Sequence, residues 1–183
     1  MKTIVLTGGG TAGHIVPNIA LLDELRQKFD KIVYIGSGAE SEKKLLKPYP
    51  YVEYHSITTA KFRRALSFEN LKIPFKLLKG VNEAKQLLKK LKPSVVFSKG
   101  GFVSLPVVLA AHKLGIPQIA HESDLSLGLA NKLLKNKFKA VCTTFEETTK
   151  SLKNGVFVGP ILREEITKGS KQKFKAEHNI ETQ

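Results

Sequence analysis

Short apolar runs that end in glycine, alternating with segments of helical spacing, dictate the fold of this chain. Residues 2–7 form a β-branched apolar run closed by Gly8, Gly9 and Gly10. Residues 31–35 form a second, closed by Gly36, Ser37 and Gly38. Runs at 51–57 and 94–98 follow, the latter leading into Gly100 and Gly101, and shorter ones stand at 116–120, 140–143 and 155–158. Between them the apolar positions shift to a period of about 3.6 residues, as with Ile19, Ala20, Leu22 and Leu25 within 17–29. Similar spacing marks 68–91, 104–114 and 125–135. Pro17 suits the first turn of its helix, and Pro74 a break or kink in its own. Ser104 is placed to cap the 104–114 helix, with Pro106 in the first turn and Gly115 at the end. Repeated strand–helix–strand units with glycine turns predict an α/β fold: a Rossmann-like parallel sheet with helices on both faces.

In such a sheet, ligands sit beyond the carboxyl ends of the strands. That rule singles out three turns. The first, Gly8-Gly9-Gly10-Thr11-Ala12-Gly13-His14, has the spacing G-x-G-x-x-G between a strand and a helix. Glycines let backbone N–H groups approach a diphosphate, and a helix N-terminus favours negative charge. A dinucleotide site also needs an acid at the end of the next strand. Here that strand ends Tyr34-Ile35-Gly36-Ser37, which argues against NAD. His14 stands where the helix-end field lowers an imidazole pKa. It is either a general base or a helix-start residue that only supports the turn.

The second turn is Ser98-Lys99-Gly100-Gly101-Phe102-Val103-Ser104, in which Lys99 could meet an anion. The third, His121-Glu122-Ser123-Asp124, packs four polar residues at a strand's carboxyl end. Ser123 or Asp124 could cap the helix that follows while the others face the cleft.

The net charge of +14 points to a polyanionic partner, or else to lysines that merely solvate the surface. The segment 59–92 concentrates it, with ten Lys or Arg against Glu69 and Glu83. Phe62, Leu66, Phe68, Leu71, Ile73, Phe75, Leu77 and Leu78 are interleaved there. A basic, aromatic-rich amphipathic stretch suits an anionic membrane surface. A core-facing helix with a basic outer side and a nucleic-acid patch are the other readings, although no nucleic-acid motif accompanies it. One cysteine, Cys142, allows no intrachain disulfide and fits a reducing compartment. No run approaches the ~20 apolar residues of a membrane span, so a cytoplasmic or peripheral protein is expected.

Together these residues resemble the MurG family, the UDP-GlcNAc:lipid I N-acetylglucosaminyltransferases of peptidoglycan synthesis. The carriers are Gly9-Gly10-Thr11-Ala12-Gly13-His14 with Pro17, then Gly100-Gly101-Phe102-Val103-Ser104. His121, Glu122 and Asp124 with Gly128-Leu129-Ala130-Asn131 come next, and Gly159, Pro160 and Arg163 close the series. Asp124 stands where many members have Asn, Ser123 where they have Gln, and Leu105 where they have Gly.

The resemblance implies the N-terminal half of a GT-B glycosyltransferase. Residues 1–163 would be the acceptor-binding domain, and 164–183 a linker toward a UDP-GlcNAc-binding domain. The implied reaction moves GlcNAc from UDP-GlcNAc to lipid I with inversion, without metal ion or cofactor. His14 is the implied base, with Glu122 beside it as a catalytic candidate. Gly10, Thr11, Ala12, Gly13, Gly100, Gly101, Phe102, Ser104, His121, Ser123, Asp124, Asn131 and Arg163 are the implied substrate contacts. Phe62, Arg63, Arg64, Phe68, Lys72, Ile73, Phe75, Lys76 and Lys79 would rest on the cytoplasmic face of the membrane. The alternative is a non-catalytic, membrane-recruiting subunit of a split glycosyltransferase.

Overall fold

The computed structural model describes residues 1–60 and 72–163, together with Ile166, Ser170 and Glu177. Seven strands make one parallel sheet: β1 (Thr3–Thr7), β2 (Lys31–Gly36), β3 (Val52–Ser56), β4 (Val95–Ser98), β5 (Gln118–Glu122), β6 (Ala140–Thr143) and β7 (Gly155–Phe157). Their order across the sheet is β3-β2-β1-β4-β5-β6-β7, every pair parallel. The chain first builds outward on one side of β1, then returns to β4 and builds outward on the other. The reversal leaves a crevice between the carboxyl ends of β1 and β4, the place where such sheets take ligands.

Alternation along the strands separates the two faces. Val5, Val33, Ile35 and Val96 pack with Val81, Ala84, Leu88, Val107, Ala110 and Ala111. Those last six lie on α4 (Ile73–Leu91) and α5 (Ser104–Lys113). Ile4, Leu6, Ile32 and Tyr34 point the other way, against Ile15, Ile19, Leu22 and Leu46. These belong to α1 (Ala12–Ala20), α2 (Leu22–Lys28) and α3 (Glu40–Leu46). Full burial of each such aliphatic side chain is worth about 1.5–3 kcal/mol.

Several boundaries differ from the sequence expectation, each for a physical reason. The first helix starts at Ala12, so Pro17 lies inside it and withdraws one backbone donor. The helix breaks at Leu21 and resumes as α2. Pro74 opens α4 instead of kinking it, because a missing N–H is harmless in a first turn. Ser104 is the first helical residue of α5, not its cap. The stretch 125–128 is a loop, and α6 runs only over Leu129–Leu134. Two helices were not expected, α3 and α7 (Glu146–Lys150). Both are too short and polar for an apolar period to register. Strand β5 runs two residues past Ala120, which places His121 and Glu122 on the strand itself.

Phe62, Arg63, Arg64 and Phe68 lie outside the described residues, as does most of 164–183. No helix among the described residues is long and apolar enough to cross a membrane.

Candidate active site

The loops after β1 and β4 meet over the crevice. A Cβ on Gly101 would lie 2.5 Å from the Gly9 carbonyl oxygen, and one on Gly10 would lie 2.2 Å from the Phe102 ring. The two loops therefore press backbone against backbone and ring against backbone, which only glycine allows. Gly101 also has φ of +79°, a left-handed conformation. Beyond the loops start α1 and α5, neither with a side-chain hydrogen bond at its cap. A helix start of this kind favours negative charge nearby.

His14 sits in the first turn of α1. Its Nδ1 is 2.9 Å from the Thr11 hydroxyl, and its Nε2 makes no hydrogen bond to a described residue. Burial holds its pKa below the ordinary histidine value, the Lys99 charge lowers it further, and Glu122 and Asp124 partly offset this. The imidazole is therefore neutral at neutral pH. If Nδ1 donates to Thr11, the lone pair on Nε2 is free to accept a proton.

Glu122 organises the third turn. Its Oε1 accepts the N–H groups of Ser123 (3.0 Å) and Asp124 (3.2 Å). Its Oε2 accepts the Gly128 N–H (2.8 Å) and the Asn131 amide (3.0 Å). The loop 123–128 is wrapped around this buried carboxylate, and the Thr148 hydroxyl of α7 donates to the Asp124 and Leu125 carbonyls. Through these four bonds Glu122 holds the 123–128 loop in place while it also borders the cavity that joins the three turns. Asn131 similarly spends its amide on Glu122 and on the His121 carbonyl.

One cavity of about 660 Å³ joins the three turns. Thr11, Gly13, His14, Gly100, Gly101, Phe102, Glu122, Ser123, Asp124 and Asn131 all line it, together with Lys99, Gly128, Leu129, Ala130 and Leu133. Five residues expected as substrate contacts do not. Gly10 and Ala12 are exposed outside the lining. Ser104 is fully buried and donates its hydroxyl to the Gly101 carbonyl at 2.9 Å, so it closes the loop instead of facing a ligand. His121 is 1% exposed, and burial together with the Lys99 charge pushes its pKa down to about 4, a neutral core histidine. Arg163 is exposed and stands away from the lining.

Comparison with known proteins gives the kinship. Residues 4–143 match the Glycosyltransferase family 28 N-terminal domain. The chain belongs to this family. The UDP-N-acetylglucosamine--N-acetylmuramyl-(pentapeptide) pyrophosphoryl-undecaprenol N-acetylglucosamine transferase of Lachnospira eligens is 50% identical over 173 residues, 93% of this chain and 49% of the relative. The transferase of the same name from Clostridium tetani is 47% identical over 176 residues, 95% of this chain and 49% of that one. The chain thus spans about half the length of the curated relatives it matches. The crystal structure of Acinetobacter baumannii MurG superposes with a TM-score of 0.72 at 30% identity, covering 85% of this chain and 45% of that one. The UDP-GlcNAc 2-epimerase of Neisseria meningitidis shares only the fold, with a TM-score of 0.63 at 14% identity over 98% of this chain and 53% of that one.

Two supports of this family 28 domain were not singled out in the sequence. Asn18 is fully buried, and its amide donates to the Thr7 and His14 carbonyls, each at 3.3 Å, tying α1 to the end of β1. A lone amide on the helix face of Ile15, Ile19 and Leu22 was the available signal. Glu42 on α3 is 1% exposed and accepts the Ser37 N–H (2.7 Å), the Ser37 hydroxyl (2.8 Å) and the Tyr54 hydroxyl (2.8 Å). It fills the space beside Gly9 and Gly36, so an acid does reach the end of β2. Its oxygens are bonded internally and do not face a ribose.

Glu122→Gln is expected to lower stability by about 1–3 kcal/mol, because an amide turns a donor toward N–H groups that need an acceptor. Urea unfolding followed by circular dichroism measures this. An unchanged midpoint would show that the 123–128 loop does not depend on the carboxylate.

Proposed function

We propose that this domain is the acceptor-binding half of an inverting glycosyltransferase that moves GlcNAc from UDP-GlcNAc to lipid I, forming lipid II. The observation that carries the reading is the single cavity in which two apposed glycine loops face a neutral histidine. The names of the 47–50% identical relatives support the choice of substrates. The glycine loops and the helix starts behind them take the acceptor diphosphate through backbone N–H groups. His14 Nε2 accepts the proton of the MurNAc 4-hydroxyl as that oxygen bonds to the anomeric carbon of GlcNAc and the bond from that carbon to the UDP phosphate oxygen breaks, releasing UDP. Asp124, held on the Glu122-centred loop, orients the sugar. Residues 1–163 form the acceptor domain, and 164–183 lead toward the half that holds most of UDP-GlcNAc.

The acceptor's polyprenyl chain keeps it at a membrane, and α4 offers a surface for it. Lys72, Phe75, Lys76 and Lys79 are exposed, Phe75 at 75% and its neighbour Leu78 at 65%, while Ile73 is half-buried. The buried side of the helix is Gly80, Val81, Ala84 and Leu88. Cations around exposed apolar side chains suit the cytoplasmic face of an anionic membrane, with the protein peripheral. No nucleic-acid partner is part of this reading.

A transfer assay tests the chemistry. The chain fused to the second half of the Lachnospira eligens relative should form lipid II from UDP-GlcNAc and lipid I, and the chain alone should not. His14→Ala in the fusion lowers kcat by about 10²–10⁴ with much less effect on acceptor KM. A fall under about tenfold, about 1.4 kcal/mol, would reduce His14 to a structural residue.

Vesicle flotation tests the surface. The chain should bind phosphatidylglycerol vesicles at low salt and leave them at high salt. At about 1 kcal/mol per cation, replacing Lys72, Lys76 and Lys79 by Gln weakens binding roughly a hundredfold. Phe75→Ser with Leu78→Ser weakens it at low salt while circular dichroism stays unchanged. Indifference of the wild-type chain to anionic vesicles would refute the membrane reading.

A further inference from the structure

One buried cation is left without a task by the roles given above. Lys99 follows β4 directly and is 4% exposed. A buried ammonium is unfavourable unless paired and hydrogen-bonded. Yet its Nζ makes one hydrogen bond, to the Ser123 hydroxyl at 2.7 Å, and no ion pair with a described carboxylate. Two of its three N–H bonds have no acceptor among the described residues. The buried acid nearby, Glu122, is occupied by four N–H donors. Burial draws the Lys99 pKa below the usual lysine value, with Glu122 and Asp124 opposing. The side chain lines the cavity between the two glycine loops, where uncapped helix starts already favour an anion.

We propose that Lys99 is the fixed cation for a diphosphate held between the glycine loops, its ammonium leaving the Ser123 hydroxyl for a phosphate oxygen. The inference rests on the reading that these loops hold a diphosphate, and it adds the charged residue that balances it. Ser123 holds the ammonium and gives it up when a stronger, charged acceptor arrives. A lysine acts here as a point charge, with no demand for a planar, bidentate partner. Acceptor and donor both carry a diphosphate, so the recognised chemistry is common to the two.

The test is titration of the 183-residue chain, observed by ¹H–¹⁵N spectra, with inorganic pyrophosphate, geranyl diphosphate and UDP, all without divalent metal. Pyrophosphate should move the amide signals of Gly13, Gly100 and Gly101. Lys99→Met should weaken pyrophosphate at least tenfold, and Lys99→Arg should recover part of the loss. Lys99→Gln serves as a second variant, and an unchanged unfolding midpoint establishes that either one is folded. If geranyl diphosphate loses more than UDP in Lys99→Met, Lys99 serves the acceptor; the reverse assigns it to the donor. Equal affinity of wild type and folded Lys99→Met for all three probes overturns the proposal. If the loop signals still shift equally in both, the loops hold the diphosphate without Lys99. If no probe moves them even in wild type, the diphosphate reading falls together with Lys99.

Discussion

The backbone contact between the loops after β1 and β4 is the constraint on which the site depends. The strand order makes these loops neighbours, because the chain reverses direction across the sheet between β1 and β4. Their closeness then removes room for side chains: Gly101 faces the Gly9 carbonyl, and Gly10 faces the Phe102 ring. Glycines at these positions let a ligand approach the loop backbone closely. Two helices start immediately behind them, so their end fields add on one small volume. Ser104, by bonding back to the Gly101 carbonyl, closes the second loop and keeps this spacing.

Charges around that volume are arranged by which of them are already spent. Glu122 and Glu42 are both buried, and both give their oxygens to hydrogen-bond donors of the protein. They fix the loops around the cavity. Lys99 and His14 are different: each has one engaged position and at least one without a partner among the described residues. The lysine charge helps keep the histidine neutral, and the histidine offers a lone pair beside the anion site. One set of residues builds the cavity and the other is available for chemistry.

The strands and the three turns were legible because glycine punctuates them and because apolar alternation is local. The four donors on Glu122 were not legible, since they come from positions one, two, six and nine residues later and depend on how the 123–128 loop folds. His121 and Glu122 read as turn residues because they are polar, whereas β5 continues through both of them and buries them. Helices α3 and α7 carry too few apolar residues to show a period, and with α3 the arrival of Glu42 beside β2 was hidden as well. Ser104 has the residue type of a cap, but its hydroxyl is taken by a carbonyl of the preceding turn. Sequence patterning located the three turns, and the pairing of buried polar groups decided which of their residues face the cavity.

The central claim is that this framework holds His14 as a neutral base with Nε2 open to the cavity. A pH titration of the His14 ring by long-range ¹H–¹⁵N spectroscopy measures both parts at once. The account predicts a pKa below the ordinary value of about 6.5, with the proton of the neutral ring on Nδ1, shared with Thr11. A pKa at or above that value, or a neutral ring protonated on Nε2, would contradict it.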